Sequence, residues 1–293
     1  MGDITLIIGA SGLLGSIIYN KFKSSNKVFG TYFRSIGTSD GNLRYLDACD
    51  QSQLSDLIRD MSPSTIINCM GLTSVELCEM RPEASWKLNS EIPMRLAQIS
   101  SLMGARLIHI STDHYASKKS QPRTESDSVF PINQYGYSKL QAERFILEYN
   151  SNALILRTNF FGYARSEGKS LLNFAVKALD SQKEIVGFTD VLFSPVGASE
   201  IANFLLDQSS IGITGILNFA SREVISKFDF LTLVSRIQGY SDRHISRGSI
   251  VNSELTAQRP NYLALDSTRL LSEIGYDLPS LETMLRTEMS YAN

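Results

Sequence analysis

The chain has little of what marks secreted, membrane-spanning or nucleic-acid-binding proteins. Its 293 residues include three cysteines, an odd number without a CxxC pair, which argues against a disulfide framework and favours a cytoplasmic protein. No apolar run approaches the ~20 residues that a membrane helix needs, and no basic region precedes the first run, "ITLII". Because 28 basic and 30 acidic side chains are spread without a dense Lys/Arg cluster, we expect no nucleic-acid partner.

Histidine is equally scarce. His109, His114 and His244 form no zinc-binding spacing with the cysteines, so we predict no metal site. A composition that is 43% hydrophobic and 20% charged is typical of a globular protein, and this length can bury a core without a covalent or metal staple.

The first 160 residues alternate between strand-like and helix-like segments. Strand-like runs such as "ITLIIG", "STIINCMG" and "ARLIHIST" alternate with helix-like runs such as "QSQLSDLIRDM". This rhythm predicts parallel strands joined by helical crossovers, and the continuous β-branched runs fit strands covered on both faces. The predicted fold class is therefore α/β, with a Rossmann-type doubly wound parallel sheet.

After "NALILRTNFFG" the spacing loosens, and helical segments such as "GASEIANFLLDQ" alternate with short strands such as "GILNFA". We predict a smaller mixed C-terminal lobe. The expected division is 1–160 for the domain with the Rossmann-type sheet and 161–293 for the smaller lobe, with a soft boundary and segments that can interleave.

The segment "GASGLLG" follows the first strand and opens a helix. Gly9 would allow the turn, Gly12 the approach of a pyrophosphate, and Gly15 close packing of helix on strand, while the helix N-terminus attracts the anion. The alternative is that these glycines only form a turn. The predicted cofactor contacts in this segment are Gly9, Ser11, Gly12, Leu13 and Gly15.

The end of the second strand, "VFGTYFRS", lacks the acidic side chain that binds the ribose hydroxyls of NAD. Arg34 would suit a 2'-phosphate, which favours NADP(H); the alternative is a solvated loop charge. Asp47 is predicted to accept a hydrogen bond from the adenine amino group. Its neighbour Asp50 is better explained as a helix N-cap.

Tyr135 and Lys139 lie four residues apart in "QYGYSKLQAERF" and would share one face of a helix. An ammonium near a phenol lowers the phenol's pKa and makes it a usable proton donor. The alternative is an exposed amphipathic pair. Thr112 would lie at the carboxyl end of the strand "ARLIHI", the edge where ligands bind in open α/β sheets.

These segments together give a specific resemblance. The chain resembles the extended short-chain dehydrogenases/reductases, and within them the dTDP-4-dehydrorhamnose reductase family. The resemblance covers nearly the whole length and depends on "GASGLLG", "IINCMGLTSVELCEMRPEASWKLN", "HISTD", "YGYSKLQAE", "LILRTNFFG" and "RPNYLALDSTRLLSEIGYDLP", in the family's order.

The resemblance implies NADPH-dependent reduction of a 4-keto group on a nucleotide-activated deoxysugar. Thr112 would bind the ketone oxygen, Tyr135 would protonate it, and Lys139 would tune Tyr135 and hold the nicotinamide ribose. Gly71 is a further predicted contact of the cofactor. The predicted substrate contacts are Thr73 and Asn159, and the candidates for binding a diphosphate are Arg165, Lys169 and Arg259. The alternative for each of these last five is an ordinary surface or packing residue.

Two departures from the family pattern leave alternatives open. In the first, "STDHYASKK" stands where the family usually has "STDYVFDG", so His114 is out of pattern and the sugar of the substrate can differ. In the second, Ser16 and Ile17 stand where a family member that uses magnesium at its dimer interface has a glutamate. This difference argues against a metal-bridged dimer but leaves a homodimer open. One rival function is an NADP-binding regulatory subunit resembling that of methionine adenosyltransferase. Another is a reductase or epimerase acting on a different sugar nucleotide.

Overall fold

A computed structural model describes residues 3–24, 27–33, 40–116, 121–163, 170–208 and 212–291. Within these ranges, none of the helices combines the length and apolarity needed to cross a bilayer.

A seven-stranded sheet forms the centre of the fold. Its strands, in chain order, are β1 (Ile4–Ile8), β2 (Lys27–Tyr32), β3 (Leu43–Tyr45), β4 (Thr65–Asn68), β5 (Arg106–Ile110), β6 (Leu154–Arg157) and β11 (Gly215–Asn218). The spatial order is β11-β6-β5-β4-β1-β2-β3, and the neighbours from β3 through to β6 pair in parallel. The order reverses between β1 and β4, so the predicted doubly wound Rossmann-type sheet is confirmed, with its switch point beside the end of β1.

The crossovers between these strands are helical. The helices are α1 (Leu13–Phe22), α2 (Gln51–Met61), α3 (Val75–Met80), α4 (Pro82–Trp86), α5 (Ile92–Met103) and α6 (Gln134–Tyr149). Asp50 caps α2 by accepting hydrogen bonds from the N–H groups of Ser52 and Gln53, which confirms its predicted N-cap role. Asn133 caps α6 in the same way, since its Oδ1 accepts from the Gly136 N–H at 2.7 Å.

The segment "PEASWKLNSEIPMRLAQISSLMG", which reads as one helix in the sequence, contains a π-helical turn over Lys87–Glu91 between α4 and α5. Pro93 lies in the first turn of α5 and has no N–H to donate to the carbonyl four residues earlier, at Asn89. The missing bond gives a physical reason for the wider turn, a feature often found near functional sites.

One face of the sheet is sealed by an apolar cluster. Leu6, Ile66 and Leu107 of the sheet lie in a single cluster with Ile58 of α2 and Leu96 of α5, and all five side chains are fully buried. Burying each such side chain contributes about 1.5–3 kcal/mol, so this layer fixes the strand ends that carry polar side chains.

The remaining elements follow β6 in the chain. They are β7 (Phe160–Phe161), α7 (Leu171–Asp180), β8 (Ile185–Phe188), β9 (Leu192–Phe193), β10 (Val196–Gly197), α8 (Ala198–Gln208), β12 (Ile225–Ser226), α9 (Lys227–Gln238), β13 (Ile245–Gly248), α10 (Thr268–Ser272) and α11 (Leu281–Ser290). The small strands pair two by two, β7 with β10, β8 with β13 and β9 with β12. Phe230 packs against Phe161 and Phe193 with ring centroids 5.4 and 5.6 Å apart, and these rings form a separate core.

The chain divides into two compact units that alternate along the sequence. The first comprises Met1–Thr112, Asn133–Leu156 and Ala202–Leu217, and the second comprises Asp113–Ile132, Arg157–Ile201 and Asn218–Asn293. The division at 1–160 and 161–293 stays a prediction. The strand in "GILNFA", which the sequence placed with the smaller lobe, instead forms β11 at the edge of the central sheet.

The three cysteines are free thiols. Cys78 is buried, whereas Cys49 and Cys69 are partly exposed.

Candidate active site

The glycine-rich segment forms a tight turn between β1 and α1. Gly9 has a φ of +84°, a conformation that favours glycine, and its N–H donates to Thr31 Oγ1 at 3.0 Å. Gly12 precedes α1 at the N-cap position, where no side chain caps the helix and the first turn holds no acidic residue. Ser11 and Gly12 are exposed and Leu13 is half-buried. The arrangement leaves the positive end of α1 open to an anion.

Gly15 is required by close packing. A Cβ at this position would lie 2.2 Å from the Gly9 carbonyl oxygen and 2.9 Å from the Gly9 carbonyl carbon, distances that real Cβ atoms essentially never show. At Gly12 the nearest such contact would be an ordinary 3.4 Å. Turn formation alone therefore does not explain the third glycine, which lets the helix lie directly on the turn.

The end of β2 carries aromatic side chains. Phe33 is 58% exposed and stacks on Tyr45 with ring centroids 6.1 Å apart. Arg34, the predicted 2'-phosphate contact, lies outside the described residues. Asp47 is partly exposed, and its Oδ1 accepts from the Cys49 N–H at 2.9 Å, which fixes the carboxylate near the end of β3.

The predicted catalytic residues lie at the start of α6 and after β5. Tyr135 is the second residue of α6 and is half-buried, Lys139 lies one turn further and is buried, and the buried Thr112 follows β5 by two residues. Lys139 Nζ donates to the Ile110 carbonyl at 2.6 Å. This bond ties α6 to the strand end that bears Thr112, so both parts of the predicted site are built into one unit.

The surroundings of Lys139 exclude an exposed amphipathic role for it. Its side chain is 4% exposed, and Nζ lies 3.1 Å from Nε2 of His109. Burial lowers the pKa of Lys139 to about 8, an effect that the nearby Glu143 carboxylate partly offsets. A lysine buried this deeply, at a cost in solvation, is typical of functional sites.

A second polar network fixes the loop after β4. Asn89, on the π-helical turn, accepts from the Leu72 N–H at 2.7 Å and donates to the Leu72 carbonyl and to Ser138 Oγ at 3.0 and 3.1 Å. A Cβ on Gly71 would lie 3.0 Å from Asn89 Oδ1. Gly71 and Thr73, both predicted contacts, are exposed on this loop. Asn89 thus links the loop to α6 beside Lys139.

In the second unit, Asn159 contacts an acidic residue. Asn159 Nδ2 donates to Asp113 Oδ2 at 2.7 Å, and Arg123 Nη2 donates to the Asp113 carbonyl at 2.6 Å. Burial raises the pKa of Asp113 to about 6, while the charges of Lys227 and Arg123 act in the opposite direction. Burial also lowers the pKa of Lys227 to about 8, with the Arg259 charge adding to that effect.

The remaining predicted contacts are placed as follows. Arg259 is half-buried and close enough to Lys227 to influence its charge, and His114 is buried. Arg165 and Lys169 lie outside the described residues.

Sequence reasoning missed His109, Asn68 and Asn89 as functional candidates. His109 and Asn68 occupy continuous apolar strands, "RLIHI" and "TIIN", where a polar residue buried on both faces needs a partner. The sequence therefore contained a signal for His109 and Asn68, a polar residue within an apolar strand. It contained no such signal for Asn89, because the role of Asn89 depends on the π-helical turn.

The family model of the RmlD substrate binding domain matches residues 3–291. A probable low-salt glycan biosynthesis reductase from Haloferax volcanii is 29% identical over 281 residues, covering 94% of each chain. Methionine adenosyltransferase 2 subunit beta from Rattus norvegicus is 28% identical, covering 90% of this chain and 80% of the relative.

The crystal structure of dTDP-4-dehydrorhamnose reductase from Bacillus anthracis in complex with NADP superposes with a TM-score of 0.89 at 22% identity, covering 99% of this chain and 100% of the other. At that identity the likeness shows the fold. Because the family model spans almost the whole sequence, the chain belongs to the RmlD substrate binding domain family, an extended short-chain dehydrogenase/reductase-like family that includes dTDP-4-dehydrorhamnose reductases.

Proposed function

We propose that this chain catalyses the NADPH-dependent reduction of a 4-keto group on a nucleotide-activated deoxysugar. The observation that carries the proposal is the start of α6: Tyr135 and Lys139 share one helix face, and Lys139 is buried against the carbonyl of Ile110, two residues before Thr112. The family and its reductase members support the same reaction class.

The glycine turn fits a dinucleotide. The open N-terminus of α1 offers backbone N–H groups to a pyrophosphate, and the exposed Ser11 and Gly12 leave room for it. Gly71, on the loop that Asn89 holds, and Asp47, after β3, are the proposed contacts further along the cofactor. The proposal of NADP(H) over NAD(H) depends on Arg34, together with the absence of an acidic residue from 27–33 at the end of β2.

When bound, the reduced nicotinamide supplies a hydride to the carbonyl carbon. As that carbon accepts the hydride, negative charge develops on the carbonyl oxygen. The hydroxyls of Thr112 and Tyr135 stabilise this charge more strongly in the transition state than in the ketone, which lowers the barrier. Tyr135 then gives its proton to the oxygen, a step that general acid catalysis accelerates by about 10²–10⁴-fold.

Lys139 has two tasks in this proposal. When it is protonated, its ammonium would stabilise the Tyr135 phenolate by electrostatic attraction and so favour proton transfer from the phenol. Because its pKa is about 8, Lys139 can also release a proton near neutral pH. Thr73 and Asn159 are the proposed substrate contacts; Asn159 is oriented by its bond to Asp113.

Two other functions are consistent with the fold. The match to methionine adenosyltransferase 2 subunit beta over 90% of the chain favours a regulatory subunit as the second candidate. A reductase or epimerase for another sugar nucleotide would use the same Tyr135 and Lys139 pair.

The test incubates the purified chain with NADPH and dTDP-4-dehydrorhamnose, follows the loss of NADPH absorbance, and identifies the product by mass spectrometry. The proposal predicts stoichiometric NADPH loss with a product two mass units heavier than the ketone. A panel of other 4-keto sugar nucleotides determines the nucleotide and sugar preferences. No turnover with any of them, together with co-purification of a methionine adenosyltransferase catalytic subunit, would overturn the proposal in favour of the regulatory function.

A further inference from the structure

A chain of buried polar contacts connects β4 and β5 to Lys139. Asn68 ends β4 and lies directly opposite His109 of β5 in the sheet register. Asn68 Nδ2 lies 3.0 Å from His109 Nδ1, and His109 Nε2 lies 3.1 Å from Lys139 Nζ. The three side chains are 1%, 0% and 4% exposed, so water does not compete for these contacts.

The orientation of the Asn68 amide fixes the position of the imidazole proton. The Met70 N–H donates to Asn68 Oδ1 at 3.1 Å, so the amide directs its NH₂ group towards His109 Nδ1. An amide NH₂ group only donates, and Nδ1 must therefore accept. Burial and the Lys139 charge lower the pKa of His109, which keeps the imidazole neutral. A neutral imidazole carries one proton, which this arrangement places on Nε2.

The Nε2–H of His109 points at Lys139 Nζ, which must accept it. Only a neutral amine has the lone pair to do so, because an ammonium has donors alone. The neutral amine keeps two N–H groups; one donates to the Ile110 carbonyl, and the other is available to the site. The observed contacts thus match a deprotonated Lys139.

A protonated Lys139 requires the opposite arrangement. Its ammonium would donate to a bare Nε2, the imidazole proton would move to Nδ1, and the Asn68 amide would rotate to accept it with Oδ1. That rotation sacrifices the bond from the Met70 N–H. An unsatisfied buried donor of this kind carries a free-energy cost, so the Asn68 contact favours the neutral amine.

We propose that Asn68 and His109 are positioning residues that couple the proton on Lys139 to the tautomer of the buried imidazole. The inference deepens the proposed reductase function and rests on it. After Tyr135 has given its O–H proton to the carbonyl oxygen, the Lys139 ammonium gives one N–H proton to the phenolate. Solvent later returns a proton to the resulting amine. The imidazole changes tautomer by separate exchange with solvent, in which one proton leaves Nδ1 and another binds Nε2, so the coupling is an equilibrium property of the network.

Other groups near Lys139 act on its charge in known directions. Glu143, one turn further on α6, favours the ammonium, and its Oε1 accepts from Ser111 Oγ at 2.5 Å. Although Cys69 is partly exposed, desolvation of its thiol raises the pKa to about 12, so this group is neutral near pH 8. Tyr135 lies one turn earlier on the same helix. His109 is therefore the neighbour whose tautomer changes together with the lysine proton.

The direct test is ¹⁵N NMR of the free protein labelled at histidine, using long-range ¹H–¹⁵N correlations that distinguish the two tautomers. The chain has three histidines, and His114→Asn and His244→Gln identify the His109 signals. We expect the Nε2–H tautomer at high pH and the Nδ1–H tautomer at low pH, with a midpoint near pH 8. A single tautomer throughout pH 6–10, or a charged imidazole, would overturn the proposal.

The variant Asn68→Asp gives a second test. A carboxylate accepts from both Met70 N–H and His109 Nδ1–H, so the variant should hold the Nδ1–H tautomer throughout and move the Lys139 midpoint upward by about one pH unit or more. Asn150→Asp is the control, since Asn150 is equally buried but lies about 16 Å from Lys139 along α6. Wild-type tautomer behaviour in Asn68→Asp would contradict the proposal.

If Asn68→Asp does not fold, the NMR titration of the wild-type His109 tautomer alone tests the proposal. Because the spectra require neither cofactor nor substrate, a fixed tautomer in an active reductase would refute only this inference. A switching tautomer in a protein without reductase activity would refute only the proposed function.

Discussion

The variant Gly15→Ala tests how the turn between β1 and α1 is built. An added Cβ would lie 2.2 Å from the Gly9 carbonyl oxygen, against the 3.4 Å at which such contacts become ordinary. The neighbouring atoms are backbone and have no rotamer that avoids the contact, so α1 must move from the turn by roughly 1 Å. Overpacking of this kind destabilises by about 1–3 kcal/mol. The displaced helix N-terminus should also bind NADPH more weakly, because its N–H groups no longer converge on one anion.

The assay combines urea unfolding, for the free energy, with a fluorescence titration of NADPH. Gly12→Ala separates the two effects: its Cβ meets nothing closer than 3.4 Å, so the fold should lose under about 1 kcal/mol while the alanine methyl obstructs the pyrophosphate. Gly41→Ala, with no atom within 4 Å of its Cβ, is the control for the glycine-to-alanine change itself. Equal stability of Gly15→Ala and Gly41→Ala would refute the packing argument.

Two further changes test the polar networks. Asn89→Ala should lower the free energy of unfolding by about 1–3 kcal/mol, because it removes the acceptor of the Leu72 N–H and leaves the Leu72 carbonyl with only the weak Cys78 thiol donor; an unchanged urea midpoint would contradict this. Asp113 has a folded pKa of about 6, above its ordinary 3.8, so the native state holds an extra proton between these values and stability from this group falls as pH rises through that window. Asp113→Asn removes this dependence, and its stability relative to wild type should improve by about 2 kcal/mol from pH 4 to pH 6; a pH-independent difference would exclude the assignment.

The sequence predicted the central sheet well because its signals are local. The β-branched runs became β1, β4 and β5, and the glycine segment joins β1 to α1 as expected. The sequence analysis placed the edge strand β11 in the smaller lobe, because "GILNFA" has the composition of a strand in either unit. Only its pairing with β6 shows that it belongs to the central sheet.

The candidate site was predictable where spacing carried the information. Tyr135 and Lys139 lie one turn apart on α6, and Asp50 caps α2, both as their positions in the sequence indicated. The contact between His109 and Lys139 joins residues 30 positions apart. Such a contact depends on the register of β5 against α6, which no local pattern specifies. The Asn89 bonds to Leu72 depend in the same way on the π-helical turn.

The kinetic effect of deleting one phenol tests the central claim most directly. Tyr135→Phe removes a hydroxyl at the proposed site, while Tyr137→Phe removes one from an exposed ring on the same helix that stacks on Trp86. With a 4-keto sugar nucleotide and NADPH, kcat should fall about 10²-fold or more for Tyr135→Phe with NADPH affinity unchanged, and remain within twofold of wild type for Tyr137→Phe. Near wild-type kcat in Tyr135→Phe would contradict the proposed mechanism.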